Sequence, residues 1–582
     1  MKTIEQCIEM QTTNDFIKKK DWFYLGIIFC FCTLILALLL TLPQPRFIAS
    51  ADTGNVATFQ VAESNHDRFV DDYVYKDESV TKSYVTLIIP IVKFLSKFTP
   101  DVGTAWLLLQ WPIVFTMMSG FYFLARQIRI SHGLSLVASL ACSMPIATIE
   151  GDFWGFYNVP YVRTAFGCLV PWILILMLRF PSNLTKPFLL LSLAAVISYV
   201  HLPSGPALAF GLLIATLFDR PSSIHWRTWL PMIFCAGILY LLLLVPFTLI
   251  YLENFSYMQP VSVQSNLLEV PMDYEVPMDY SSAISALSSF IFPYQSSTGQ
   301  KIHSVLLLIV YFSGISYLVG CAIGKFACIC KHQDVQLLLA MIIGIFLASF
   351  GVSLVDQLIA KALGRSPFQV ELIRGMRLMT PFLILGLLLG VARLAKNSMR
   401  GYYIMVSVAS VAVIGHILNP LGAVSLPLRA KILTGQTVSP LEFEAAEMLK
   451  WIAKQPPSTQ ILTLNVRLDI ELAVRYLALQ PLVYSKKDVN ILGYSSSSAL
   501  NEWSQRSRAV NSFLDNSSSI EKLSWQFNWI TGRFHTDYII VQNCAEKGYP
   551  YIDIENQIEF LQSISLPVYM SNCFKIFPVK RT

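Results

Sequence analysis

The chain has 582 residues, of which 54% are hydrophobic and 14% are charged, and its formal net charge is +6. A soluble protein usually carries about 25% charged residues, and a disordered one has low hydrophobicity, so this composition excludes both classes. The net charge is also too small and too dispersed to indicate a nucleic-acid partner. Together with a mean hydropathy of +0.53, these values predict a membrane protein.

The charged residues are unevenly distributed along the chain. Residues 1–420 contain 50 of them, about 12%, whereas residues 421–582 contain 30, about 19%. This change predicts a transmembrane body over 1–420 and a soluble domain over 421–582.

Apolar stretches in the first part of the chain predict an α-helical polytopic membrane protein, because about 20 apolar residues cross a bilayer core. The short fifth and sixth stretches are joined through His201-Leu202-Pro203 and could instead form one kinked span. Eleven spans are predicted, at 22–42, 104–125, 133–149, 161–179, 187–200, 204–218, 229–251, 304–323, 335–354, 378–392 and 402–419.

Lysine and arginine residues predict the orientation of these spans. With the N-terminus in the cytoplasm, the short cytoplasmic pieces hold 15 of them in about 68 residues, against 12 in about 155 residues on the other side. The predicted location is the inner (plasma) membrane, and the lysine and arginine distribution predicts that the C-terminal domain lies outside the cytoplasm. Cys544 and Cys573 could pair there if that compartment is oxidising.

Two long loops are predicted on the outer side. The first, 43–103, carries apolar runs and lysines over 80–98, a pattern typical of helices that lie on the membrane surface. The second, 252–303, contains the hexapeptide 269–274 repeated at 275–280. This repeat is either a ligand-contacting flap or a duplication tolerated in a mobile loop.

The C-terminal domain is predicted to be α/β or α+β. It has no Gly-rich phosphate loop after a strand, so it does not resemble a nucleotide-binding domain. The predicted elements are helices from Pro440 to Trp451, Asp469 to Leu477 and Leu500 to Leu514, strands at 461–464 and 537–541, and a terminal strand or hairpin at 568–579.

Three acids are candidate catalytic residues. Asp52 lies about ten residues beyond the first span, and Glu150 and Asp152 lie at the outer end of the third. A carboxylate at a membrane surface can act as a general base or bind a divalent cation. The alternatives are a turn acid in Asp52-Thr53-Gly54 and a helix end followed by interfacial aromatic residues.

Two arginines are candidate ligands for a phosphate. Arg374 and Arg377 precede the tenth span on the outer side and share a helix face at a spacing of three. Arg binds phosphate through a planar fork, although it can also snorkel to lipid headgroups. Arg163, His201 and the aromatic-loop residue Tyr157 are weaker candidates for substrate binding, and a lone His is more often structural.

Two other polar groups are interpreted as non-catalytic. His66, Asp67, Asp71 and Asp72 are predicted to form a solvated acidic face. Cys328, Cys330 and His332 have zinc-binding side chains but no fourth ligand, so they are interpreted as a cytoplasmic helix flank.

Taken together, these positions resemble the GT-C superfamily of membrane glycosyltransferases. Its members combine many spans and a long first outer loop with one acid after the first helix and another after the third. Asp52 falls at the first position and Glu150 or Asp152 at the second. The segments Trp451-Ile452 and Asp537–Val541 make the tail similar to that of bacterial, often cyanobacterial, members. Unlike oligosaccharyltransferases, the tail has no Trp-Trp-Asp signature.

The resemblance implies an inverting glycosyltransferase that uses a polyprenyl-linked sugar donor and a saccharide, lipid or protein acceptor. Arg374 and Arg377 would hold the donor phosphate, and Asp52 would take the acceptor's proton. Asp52 and Asp152 would share a divalent cation, Mg²⁺ or Mn²⁺. Two alternatives stay open, a non-catalytic GT-C-like scaffold and a transporter of a lipid or saccharide. Membrane lipids are partners in every case.

Overall fold

The computed structural model describes most of the transmembrane body and of the tail. Glu150, the side chain of Asp152, most of the loop 252–303 and nearly all of the eleventh predicted span lie outside the described part. The described residues are 19–41, 44–46, 48, 50–77, 80, 84–149, 152–157, 159–255, 287, 290, 298–326, 331–363, 372–397, 403, 407, 440–492, 497–515, 519–544 and 554–579.

Helices cover the greater part of the first ten predicted spans. Six of the described helical segments are long and apolar enough to cross a membrane, as expected for a polytopic membrane protein, while the count of eleven stays a prediction. The helices are α1 (Lys19–Leu39), α2 (Ala51–Ser64), α3 (Ile88–Leu95), α4 (Val102–Leu108), α5 (Gln110–Gln127), α6 (His132–Ser143), α7 (Val162–Gly167), α8 (Val170–Arg179), α9 (Thr185–Ser198), α10 (Gly205–Phe218), α11 (Trp226–Leu243), α12 (Val245–Phe255), α13 (Thr298–Ala322), α14 (His332–Phe346), α15 (Val352–Leu363) and α16 (Thr380–Asn397).

The third span was predicted over 133–149, and its predicted end is wrong. Helix α6 ends at Ser143, and strands β1 (Ile146–Ile149) and β2 (Asp152–Trp154) then form an antiparallel hairpin. The cause is Pro145, because a residue before proline is pushed out of the helical region, and Met144 is extended. The Trp154 indole N–H donates to the Cys142 carbonyl at 2.6 Å and fixes the hairpin to the helix end.

The fifth and sixth predicted spans are two separate helices. α9 and α10 pack against each other and are joined by a 3₁₀ helix over Leu202–Ser204. Prolines near the start of this 3₁₀ helix and of α10 suit their first turns, where no backbone donor is needed. His201 lies at this junction.

The loop 43–103, which is predicted to lie on the outer side and is called the first outer loop, contains two helices relevant to the site. α2 begins after Ser50, whose hydroxyl accepts from the Thr53 amide at 3.3 Å, so Asp52 lies in the first turn of a helix. α3 exposes apolar side chains, among them Ile91 and Phe94, which agrees with a helix lying on the membrane surface.

The tail contains a four-stranded sheet whose strand order is β3-β4-β6-β5. The β3–β4 pair is parallel and the other two pairs are antiparallel. The helices that begin at Ile520 and Glu555 were not predicted. The elements are α17 (Pro440–Ile452), β3 (Ile461–Leu464), α18 (Leu468–Tyr476), α19 (Val489–Leu492), α20 (Ser497–Phe513), α21 (Ile520–Arg533), β4 (Tyr538–Gln542), α22 (Glu555–Ile564), β5 (Tyr569–Met570) and β6 (Phe574–Pro578).

Cys544, just after β4, and Cys573, just before β6, form a disulfide with a Cα–Cα distance of 4.8 Å. The two strands are paired, which brings their ends together. The boundary of the tail at residue 420 stays a prediction, since residues 408–439 lie outside the described part.

The predicted acidic face is wrong for Asp72. Its carboxylate is fully buried and accepts from the Arg475 guanidinium at 2.8 Å, and Arg475 also binds Asp488 at 2.6 Å. Asp67 and Asp71 are exposed, as predicted. The error arose because Arg475, the cation that pairs with the Asp72 carboxylate, lies 403 residues away, beyond any local pattern. Asp72, Arg475 and Asp488, together called the ionic lock, join the first outer loop to the tail.

Candidate functional site

Asp52 lies between the transmembrane body and the tail. Its Oδ2 accepts from the Arg163 guanidinium at 2.6 Å, and its Oδ1 is 2.5 Å from the Lys487 ammonium. The Asp52 side chain is 44% exposed, whereas that of Arg163 is only 9% exposed. The carboxylate is therefore open to solvent on one side and neutralised by two cations on the other.

Helix packing holds Asp52 in this position. Two residues after Asp52, Gly54 of the same helix lies against Leu472 and Tyr476 of α18. The Ile48 amide donates to the Tyr476 hydroxyl at 2.6 Å, and the Thr53 hydroxyl donates to the Pro160 carbonyl at 2.9 Å. One contact reaches the tail and the other reaches the transmembrane body, so the start of α2 is fixed on both sides.

Aromatic side chains hold Arg163. Its guanidinium carbon lies 4.1 Å from the ring centre of Phe153 and 5.0 Å from that of Tyr161, within cation–π range. Tyr157 is buried behind Phe153, with ring centres 3.6 Å apart. This placement gives Tyr157 a packing role behind the residue that supports Arg163.

Lys487 was not predicted from the sequence. It belongs to a 3₁₀ turn, Lys486–Asp488, and its side chain is 21% exposed. The next residue, Asp488, is a member of the ionic lock. Two adjacent lysines in a polar turn usually indicate solvent exposure, so the sequence held no signal that one of them faces Asp52.

The charges around Asp52 control its protonation. Partial loss of hydration by itself would raise the pKa of this carboxyl, but Lys487 and Arg163, with a smaller effect of Arg374, outweigh it and hold the pKa well below its usual range. Asp52 is therefore ionised at every ordinary pH. While both cations are in place it is also a weak base.

Arg374 and Arg377 lie on a 3₁₀ helix over Leu372–Met379, where a spacing of three places both on one side. Arg377 is buried and donates to the Ser204 hydroxyl and to Nδ1 of His201, the latter at 3.3 Å. Because Arg can only donate, Nδ1 accepts and the imidazole proton lies on Nε2.

His201 links these arginines to the acid. Burial lowers the pKa of its imidazole well below 6.5, and Arg377, Arg163 and Arg374 lower it further, while Asp52 opposes them. The imidazole is therefore neutral. Arg163 and Arg377 also line one small void beside Phe153. The structure thus brings together five of the predicted site residues, namely Asp52, Arg163, His201, Arg374 and Arg377.

The remaining two predicted acids are only partly located. Strand β2, which begins at Asp152, packs against the 3₁₀ helix of Arg374 and Arg377. Among the described residues no group of three His, Cys, Asp or Glu side chains could hold a metal ion. Both Asp52 oxygens face cations, so the described side chains do not fit a metal site, and the role of a divalent cation stays a prediction.

Comparisons with known proteins add little to this geometry. No protein-family model and no curated protein matches the chain. Among solved structures, the archaeal oligosaccharyltransferase AglB from Archaeoglobus fulgidus, in complex with an inhibitory peptide and a dolichol-phosphate, is similar at 9% identity and a TM-score of 0.47. The similarity covers 90% of this chain and 70% of that chain. A structural similarity this weak does not indicate a shared family or function.

Proposed function

We propose that this protein is a membrane glycosyltransferase that moves a sugar from a polyprenyl-linked phosphate or diphosphate donor to an acceptor on the extracytoplasmic face. The observation that carries the proposal is the position of the Asp52 carboxylate beside several cations from separate parts of the chain. Arg163 touches it from the transmembrane body, Lys487 touches it from the tail, and Arg374 adds its charge.

The cations suit the leaving group of such a transfer. When the bond between the sugar carbon and the phosphate oxygen breaks, negative charge builds up on the phosphate. Fixed guanidinium groups stabilise that charge without having to reorganise. Arg374 is better suited to this role than Arg377, because Arg374 is only half-buried whereas Arg377 is buried.

The acid suits the attacking group. The acceptor attacks the sugar carbon opposite the leaving phosphate, and its proton passes to Asp52 as the new bond forms. The exposed side of the carboxylate gives the acceptor access to it. Glu150 or Asp152 would orient the acceptor, since the hairpin of β1 and β2 packs against the 3₁₀ helix that carries Arg374 and Arg377.

Replacing Asp52 with Asn tests the proposal, because the change keeps the size of the side chain and removes the base. We expect transfer from a polyprenyl-phosphate sugar by the purified protein to fall by roughly 10²- to 10⁴-fold. The matched control is Asp67→Asn, an exposed acid of the same loop, which should leave the rate unchanged. Full activity of Asp52→Asn would refute the assignment.

A non-catalytic scaffold is the second candidate. It is favoured by the pairing of both Asp52 oxygens with cations, which is also how a structural ion pair is arranged. Lipid-linked intermediates that accumulate in a deletion strain would favour the enzyme. A wild-type protein that transfers no sugar, together with an Asp52→Asn variant that loses thermal stability, would favour the scaffold.

A further inference from the structure

The two cations that contact Asp52 are held in different ways. Arg163 is 9% exposed and lies against the rings of Phe153 and Tyr161. Lys487 is more exposed, at 21%, and its ammonium sits at the end of a flexible four-carbon stem. If a substrate group is to reach the Oδ1 side of Asp52, Lys487 is the cation that can move without disturbing the packing.

The backbone of Lys487 is nevertheless fixed. The adjacent Asp488 accepts from Arg475 at 2.6 Å and from the Tyr73 hydroxyl at 2.5 Å. Arg475 in turn binds Asp72, which lies on the same outer loop as Asp52. The ionic lock therefore presents a mobile side chain from a rigid turn, so Lys487 can leave Asp52 and return to the same place.

We propose that Lys487 is a displaceable counter-ion of Asp52, a positioning residue supplied by the tail that occupies the carboxylate until the acceptor takes its place. This inference rests on the proposed function and names the side of the site where the acceptor binds. The acceptor displaces the ammonium from Oδ1, while Arg163 keeps its contact with Oδ2.

The displacement changes the chemistry of Asp52 at the moment of reaction. With one cation gone, the carboxylate becomes a stronger base. It then takes the acceptor's proton as the acceptor bonds to the sugar carbon, and the phosphate leaves with the electron pair of the broken bond. The charged and titratable groups around Asp52 are Lys487, Arg163, Arg374 and the neutral imidazole of His201, and only Lys487 leaves.

The pairing can be tested without any transfer assay. In the purified full-length protein, mass spectrometry would measure the acylation of Lys487 and of its exposed neighbour Lys486 by an amine-reactive reagent. We expect Asp52→Asn to increase the labelling of Lys487 several-fold, because the paired ammonium is shielded, and to leave Lys486 unchanged. Equal labelling of Lys487 in both proteins would overturn the proposal.

The role in the reaction is tested by Lys487→Met, with Lys486→Met as the matched control in the same turn. We expect KM for the acceptor to fall about threefold, because the acceptor no longer competes with an ammonium. We also expect kcat to stay within about twofold, because in the acceptor complex the ammonium has already left Asp52. Lys487→Arg should restore the KM of the wild-type protein.

The other outcomes separate the two proposals. A higher KM for the donor in Lys487→Met would make Lys487 a phosphate ligand and overturn the counter-ion role. Loss of thermal stability with an unchanged KM for the acceptor would make Lys487 a structural residue and overturn the counter-ion role as well. If the wild-type protein transfers no sugar, the proposed function fails, and the labelling result alone decides whether Lys487 pairs with Asp52.

Discussion

Glu471 shows how burial changes the chemistry of a single residue in the tail. Its side chain lies within α18, is almost fully buried and accepts from the Thr463 hydroxyl at 2.7 Å. Burial raises the pKa of this carboxyl to about 7. In the unfolded chain Glu titrates near 4.3, so the folded state binds one proton more than the unfolded state between these two values.

This difference predicts a pH-dependent stability. Because the pKa of Glu471 is higher in the folded state, its contribution to the free energy of unfolding is complete below pH 4 and is lost as the pH rises toward 7. Glu471→Gln, which is neutral at every pH, should be more stable than the wild-type protein at pH 8 by up to roughly 3 kcal/mol. Thermal unfolding at pH 5 and pH 8 would measure this. A variant that is less stable at both values would contradict it.

At the residue level, the sequence predicted several charged residues of the site, but it did not predict which distant residues they contact. Asp52, Arg163 and Arg374 could be identified because charged residues are rare and costly near membrane spans. Lys487 and the burial of Asp72 could not be identified, because each depends on a contact between residues about 400 positions apart. Local patterns hold no information on such pairs.

At the scale of elements, the ionic lock joins the first outer loop to the tail. Arg475 is fully buried between Asp72 and Asp488, and it also lies 5.1 Å from the ring centre of Tyr75. A buried cation shared by two carboxylates is costly to lose, because its removal leaves both carboxylates without their cation.

Arg475→Met should therefore be strongly destabilising. We expect a loss of about 3–5 kcal/mol, measured by thermal unfolding in detergent. The matched control is Arg508→Met in α20, which is exposed and should change stability by less than about 0.5 kcal/mol. Similar unfolding temperatures for the two variants would show that the lock contributes little.

The elements themselves were predicted well where periodicity and length were clear. Strand β3 begins and ends at the predicted residues, and helices occupy most of each of the first ten predicted spans. The hairpin of β1 and β2 was missed, although Pro145 marked the end of α6. Apolar content extends a predicted span past a proline, whereas backbone geometry ends the helix there.

At the scale of the whole molecule, the site depends on both parts of the chain. The transmembrane body supplies Arg163 and Arg374, the first outer loop supplies Asp52, and the tail supplies Lys487. The ionic lock ties the loop to the tail. The site is therefore complete only if the tail lies on the same side of the membrane as the first loop, which is also what the lysine and arginine distribution predicts.

This orientation can be tested with cysteines introduced on the two predicted sides. Glu521 lies exposed on α21 of the tail, and Ser222 lies exposed between α10 and α11, on a short loop predicted to be cytoplasmic. In intact cells, a membrane-impermeant maleimide should label Glu521→Cys and should label Ser222→Cys only after permeabilisation. The wild-type protein gives the background from its own cysteines.

The disulfide provides an independent test of the same orientation. An oxidising compartment outside the cytoplasm would keep Cys544 and Cys573 paired, whereas cytoplasmic reductants would keep them as thiols. Alkylation of the protein directly in cells should therefore leave both residues unmodified until a reductant is added. If Glu521→Cys were labelled only after permeabilisation and both thiols were free, the tail would be cytoplasmic. Asp52 and Lys487 would then face the cytoplasm, and a donor and acceptor on the outer face could not reach them.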